Sequence, residues 1–315
     1  MGAAPSFTVV MAAYRTAPTI GSAVTSVLRQ TRPDLELIVV DDGSGDDTVA
    51  AAWAAAGGDV RMRVLERPHE GAAAARAAGI AAGSAPFVSL VDSDDLWMPR
   101  YLELMGGALE ADGDAGMAYC DAWWLDEETR RIRRASAMSF MDPPDPPPAS
   151  ADAMFRELLA RNFVYNSVTL RRSVIDAVGP PDRRLRSMID WEWWLRVAAA
   201  GHRAVRVPGN LALYRLRPAS MTADPVRSAR GRRDLWRLLA DEYDLPGDVR
   251  AELRRRVARF EAELAVQEGR RPVVAALRAG RAHAGRAKRA VLDRRIWYAE
   301  APREVADAFP DLRAV

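Results

Sequence analysis

Two periods of apolar and polar positions run through the chain. Phe7–Ala12 (FTVVMA), Leu37–Val40 (LIVV) and Phe87–Val91 (FVSLV) are short, continuous and rich in β-formers. Such runs predict central strands covered on both faces, as in a parallel sheet. Between them, Ile20, Val24, Val27 and Leu28 recur at helical spacing over Ile20–Gln30 until Pro33 intervenes. Thr48–Ala56 and the alanine-rich Ala72–Ala82 predict two more helices, and Arg61–Leu65 a short strand. Strands and helices alternating at this length imply right-handed crossovers, hence an α/β fold with a mostly parallel sheet and helices on both faces.

The strands end on acids. Leu37–Val40 runs into Asp41 and Asp42 of DDGSGDDT, and Phe87–Val91 into Asp92, Asp94 and Asp95 of VDSDD. Open parallel sheets bind ligands beyond the carboxyl ends of their strands, so Asp92 and Asp94, two residues apart, are expected to face one crevice. There they repel one another unless a hard cation such as Mg2+ or Mn2+ intervenes; helix-capping aspartates before the helix at Tyr101 are the plainer alternative. Gly43-Ser-Gly45 is no dinucleotide fingerprint, because a third glycine is required where Thr48 stands. An exposed Asp42 suits the edge of a nucleobase or a ribose hydroxyl, and Tyr14, ending the first strand, suits stacking on a base. Ordinary turn chemistry remains the competing account of each.

Farther on, Met117–Asp126 reads as a strand carrying Trp123 and Trp124, suited to sugar rings or to a core. Met141–Ser150 holds five prolines and predicts a loop, a candidate lid. Asp190 opens DWEWWLRV among Trp191, Trp193 and Trp194. Apolar neighbours raise a carboxyl's proton affinity, which suits a general base, whereas an N-cap of the helix through Ala200 is the structural alternative. Glu192 is expected either at the site or as a solvated first-turn acid. In the tail, Val249, Leu253, Val257, Phe260 and Leu264 form one apolar stripe, and a basic helix is expected over Val273–Arg295.

Composition narrows the class. With 315 residues, about half of them apolar, a substantial core can form. One cysteine rules out an intrachain disulfide, and three histidines make a zinc site a poor reading. Net charge is +2, but from Arg230 onward 20 basic residues face 14 acidic ones. The tail is therefore basic and the body acidic. No aromatic-interleaved basic platform accompanies those arginines, so no nucleic-acid partner is expected. Lacking a long apolar span, the chain is expected to be soluble and cytoplasmic.

Together these segments resemble the family 2 glycosyltransferases, an inverting group with the GT-A fold. VVMAAYRTAPTI resembles the opening strand, ELIVVDDGSGDDT the nucleotide-binding segment, and GAAAARAAGIAAGSAPFVSLVDSDD the helix leading into the DxD motif. MIDWEWWLRVAAAG resembles the acceptor-side motif and LYRLRPASMT the closing segment, so the likeness covers Thr8 to Thr222.

The resemblance implies a nucleotide-diphosphate sugar donor, a UDP-sugar by preference, and a glycan, lipid-linked or small-molecule acceptor. It implies Mn2+ or Mg2+ on Asp94, with Asp92 assisting at the metal or ribose and Asp95 orienting a loop. Asp42 and Tyr14 would meet the base, Arg76 the diphosphate, and Asp190 would be the catalytic base. Arg217, Asn166 and Glu192 are weaker candidates for diphosphate or acceptor contacts. Arg15, Ala77, Ile189 and Arg217 depart from the family's usual residues.

The expected organisation is a domain over 1–225, with a nucleotide-sugar half to 115 and an acceptor half beyond, followed by a helical extension over 226–315. That extension is expected to cap the domain, pair two copies, or dock its basic face on the inner side of a membrane. The competing functions are a nucleotidyltransferase, for which no glycine-rich loop with a basic residue follows the first strand, and a catalytically silent nucleotide- or glycan-binding subunit.

Overall fold

The computed structural model describes residues 4–164, 167–216, 225–267 and 301–312. Asn166, Arg217 and the helix expected over Val273–Arg295 lie outside the described residues. The chain divides into two compact units: Met1–Arg183 with Asp190–Leu216 and Tyr298–Val315, and Arg184–Ile189 with Arg217–Trp297.

The first unit is built on one sheet. Its strands are β1 (Phe7–Ala13), β2 (Leu35–Asp41), β3 (Met62–Glu66), β4 (Phe87–Asp92), β5 (Leu96–Trp97), β6 (Ala115–Asp126), β7 (Val168–Arg171) and β8 (Arg203–Leu216). They lie in the order β3-β2-β1-β4-β7-β6-β8-β5. The first four are mutually parallel, as the apolar runs predict. The remainder is mixed: β7 runs antiparallel to both β4 and β6, while β6 and β8 are parallel. Of the four residues of β7, three pair with β4, Arg171 with Phe87, Leu170 with Val88 and Thr169 with Ser89. Ser89 and Thr169 seal that junction with a buried hydroxyl pair at 2.8 Å.

Helices α1 (Ala17–Leu28), α2 (Thr48–Ala56), α3 (Ala72–Ala82) and α4 (Tyr101–Ala111) follow strands β1, β2, β3 and β5. Small residues let α3 lie close on the sheet: a Cβ at Gly79 would come 2.4 Å from Val10 Cγ1, and Ala75 packs against Ile38 and Val40. Helices α5 (Ala151–Ala160), α6 (Arg172–Val178) and α7 (Ile189–Ala199) come later in the chain. Ser150 caps α5 through its side chain, after the irregular proline-rich stretch.

The last described segment, including α10 (Arg303–Ala308), belongs to the sheet unit. Val305 and Leu312 are buried in a cluster with Leu96, Met98, Leu125 and Leu213. Trp123 is part of that cluster, so it is a core residue rather than a sugar platform. Trp124 sits edge-on to Tyr214 and Phe140.

In the second unit, α8 (Pro225–Glu242) and α9 (Gly247–Gln267) pack on one another. Leu253 and Leu264 of the α9 stripe are buried, and the Arg256 guanidinium lies 5.1 Å over the Trp236 ring. No helix among the described residues is long and apolar enough to cross a membrane.

Candidate active site

Sheet register brings the acids of the first half to one level. Ala12 of β1 is opposite Asp92, and Ala13 is opposite Asp41. Because β2 lies on one side of β1 and β4 on the other, the gap between the β1 and β4 ends is the place where chain direction switches sides, the usual ligand crevice of such sheets.

The turn after β2 is held from within. Both Asp41 carboxylate oxygens are engaged by Ser44, through its amide and its hydroxyl. Ser44 Oγ in turn accepts the Arg15 amide at 2.9 Å, which ties the β1 and β2 ends together. Asp42 is 3% exposed, contrary to the expected open carboxylate. Its Oδ1 accepts the Glu70 amide at 2.8 Å and its Oδ2 the Gly71 amide at 2.9 Å, so it fixes the loop that opens α3. His69 Nδ1 sits 2.8 Å from Asp42 Oδ2. The approach is close: a side chain at Gly43, whose φ is +71°, would meet the His69 amide at 2.9 Å. Tyr14 is partly exposed, and its ring stacks on His69 with centroids 4.1 Å apart. His69 escaped the sequence reading because one loop residue carries no periodicity.

The loop after β4 is pinned at each residue. Arg76 Nη2 donates to Asp92 Oδ1 at 2.7 Å. Thr19 Oγ1 donates to the Ser93 carbonyl at 3.1 Å, and Arg215 Nε to the Asp94 carbonyl at 2.7 Å. Asp95 Oδ1 accepts the Arg215 amide at 3.0 Å, across from β8. Asp95 thus joins the loop after β4 to β8. Arg215 is 6% exposed, and burial pulls its guanidinium below the ordinary range against the opposing pull of Glu127, Asp95 and Asp94.

Arg76 is the electrostatic centre. Burial works to lower its proton affinity, but Asp92, then Asp190 and Asp94, together hold the guanidinium above its usual range. A single cation thereby faces acids from β4, from the loop beyond it and from α7.

Asp190 and Glu192 have opposite fates. Two residues apart on a helix, they project about 200° apart. Asp190 is half-buried toward Arg76, and burial pushes its carboxyl up despite the charge of Arg76, the Trp191 amide and Asn162. Asn162 Nδ2 donates to Asp190 Oδ2 at 3.0 Å. Glu192 is 1% exposed and forms a bidentate pair with Arg196 at 3.0 Å through both oxygens. Arg196 is tied in turn to the carbonyls of Val178 and Pro180. Glu192 is therefore neither a solvated acid nor a partner of Asp190, but part of the core that seats α7. Trp191 and Trp193 donate their indole N–H groups to the carbonyls of Leu158 and Gly179.

No group of three or more His, Cys, Asp or Glu able to hold a metal occurs among the described residues. Mg2+ and Mn2+ do not require one, because they are usually held by one or two carboxylates and by substrate phosphates. Half-buried Asp94 and Asp92, which is paired with Arg76, are the carboxylates of this loop that have the chemistry for such a role.

The model of Glycosyl transferase family 2 matches residues 8–179. EpsH of Bacillus subtilis is 31% identical over 175 residues, which are 55% of this chain and 49% of that protein, so the chain spans about half the length of that relative. Among solved structures, S. aureus TarS 1-349 in complex with UDP-GlcNAc is 18% identical with a TM-score of 0.57, over 83% of this chain and 73% of that one. The mannosyltransferase PcManGT from Pyrobaculum calidifontis, in complex with GDP-Man and Mn2+, is 17% identical with a TM-score of 0.58, over 93% and 82%. The sheet is that of the GT-A fold, and with the family model covering more than half of its length, from β1 to the end of α6, the chain belongs to glycosyl transferase family 2.

Proposed function

We propose that the chain transfers a sugar from a nucleotide-diphosphate sugar, a UDP-sugar by preference, to a hydroxyl of a glycan, a lipid-linked glycan or a small molecule, with inversion. The reading is carried by Arg76, whose guanidinium faces Asp92, Asp94 and Asp190 together and so links the strand-end acids to the acid of α7. Asp190 takes the proton of the acceptor hydroxyl while that oxygen bonds to the anomeric carbon from the face opposite the diphosphate. The bond from carbon to the diphosphate breaks, and its electron pair leaves on the nucleoside diphosphate. A carboxyl with raised proton affinity is suited to that proton, and a positioned base contributes about 10² to 10⁴ in rate.

Tyr14 and His69 offer a stacking surface for the base, and Asp42 holds the loop that presents it. Arg76 answers negative charge on the diphosphate. Asp94 would hold Mn2+ or Mg2+, and such an ion, when bound, neutralises charge growing on the leaving group.

Calorimetric titration with UDP, GDP, CDP and dTDP, each with Mn2+ and again with chelator, tests the donor side. Metal-dependent binding of UDP is the expected result. Folded protein that binds none of the four would overturn the proposal in favour of a silent subunit.

A further inference from the structure

Asn162 lies where helix α5 gives way to the segment approaching β7. Helix α5 ends at Ala160, Arg161 turns the backbone extended, and Asn162 follows. Trp191, the residue after Asp190, donates its indole N–H to the Leu158 carbonyl at 2.7 Å, so the end of α5 and the first turn of α7 are locked together. Asn162 faces Asp190 across that lock, 3.0 Å from Nδ2 to Oδ2.

The amide orientation is determined by its other end. Asn162 Oδ1 accepts the Val164 amide at 3.3 Å, which leaves the NH2 group for the carboxylate. Rotation of an aspartate about its last bond is soft, with broad wells, so a carboxylate needs an external partner to hold one angle. From the geometry we infer that Asn162 is a positioning residue for Asp190, holding one carboxylate oxygen so that the group keeps a single orientation. The inference rests on the reading of Asp190 as general base.

The electrostatic direction agrees. Burial raises the Asp190 carboxyl, and four influences oppose it: the Arg76 guanidinium from α3, the Trp191 amide of α7 itself, the Asn162 side-chain amide, and the backbone amide of Asp190. Arg76 is shared with Asp92 of β4 and faces Asp94, so its charge is divided among three acids. Asn162 is the only neutral side-chain donor among these influences. Its removal should raise the Asp190 midpoint and loosen its angle together.

The test has two readouts. Carbon-13 NMR of aspartate-labelled protein, with the Asp190 signal assigned by its loss in Asp190→Asn, follows the carboxyl titration directly and needs no substrate. Asn162→Ala should move that midpoint up by about one pH unit or more, the size of one hydrogen bond to a charged group. Asn162→Leu, which keeps the volume and lacks the donor, should do the same and serves if the alanine variant does not fold. An unchanged or lowered midpoint overturns the inference.

The second readout is release of UDP from UDP-glucose with water as acceptor, followed across pH. Asn162→Ala should move the acid limb of the profile to higher pH by about one unit or more, regain rate as pH rises through that limb, and add nothing in an Asp190→Asn background. A purely structural residue would instead scale the whole profile without moving its acid limb. Should Asp190→Asn release UDP at the parent rate, the base reading fails, while the NMR midpoints still report whether Asn162 holds the carboxylate.

Discussion

The acids at the strand ends and the acid of α7 are held in different ways. Asp41, Asp42, Asp92 and Asp95 each accept hydrogen bonds from amides, a hydroxyl or a guanidinium at the tips of β2 and β4. Asp190 is held by a neutral amide side chain and two peptide N–H groups, and shares the charge of Arg76 with two other acids. Carboxylates of the first kind brace the loops that leave the strand ends. One of the second kind has gained proton affinity, which is what accepting a proton from an alcohol requires. Similar side chains thus serve as scaffold or as reagent according to their donors.

The comparison is broken most severely at Asp190. Asp190→Asn should lower transfer by about 10² to 10⁴ while calorimetry finds nucleotide binding intact; parent-level turnover would sink the base assignment. The same substitution should stabilise the fold near neutral pH. A carboxyl whose folded midpoint is raised contributes stability that is complete below its unfolded midpoint and is lost as pH rises through the folded one. The melting temperature of Asp190→Asn should therefore exceed that of the parent at neutral pH, and the difference should close on acidification.

Next in size is Glu192→Ala, which leaves Arg196 beside an empty buried position. It should cost about 2 kcal/mol in chemical denaturation, less than a fully buried pair because Arg196 is partly exposed. Turnover of the remaining folded protein should be unchanged. A loss of turnover at full stability would return Glu192 to the site.

Arg215→Met removes the donor to the Asp94 carbonyl and to Ser22, and leaves the Asp95 bond to the backbone amide in place. A stability loss of about 1 to 2 kcal/mol is expected, with nucleotide affinity falling more in Mn2+ than in chelator. Equal falls in both would place the damage away from Asp94. The smallest effect should belong to His69→Ala. Losing half of a stacked pair should weaken UDP binding by about threefold to tenfold at unchanged turnover of bound donor.

Three of the four parallel strands, β1, β2 and β4, were legible because each is buried along almost its whole length and so reads as an apolar run. The strand-end acids were legible by the same logic, since charge that follows such a run must sit where the run meets solvent. β7 was not. It has four residues, and its partners β4 and β6 lie far away in sequence, so its direction is recorded in no local pattern. Asn162 and His69 were missed for a related reason: each acts through contacts with residues distant in the chain, Asp190 for the one and Asp42 and Tyr14 for the other, and such contacts leave no period. Trp123 shows the converse, an aromatic on a strand whose face could not be assigned until the C-terminal segment was seen covering it.

By itself the sequence determined the alternation of strands and helices, the level at which Asp42, Asp92 and Asp94 would emerge, and the acid that opens α7, because periodicity and chain breaks are local properties. Tertiary structure alone decided that Asp42 is buried and braces a loop, that Arg76 is shared among three acids, and that Glu192 turns into the core while Asp190 turns out of it. A carboxylate's role depends on which donors and charges lie within a few ångströms, and those neighbours are assembled by the fold from segments distant in the chain.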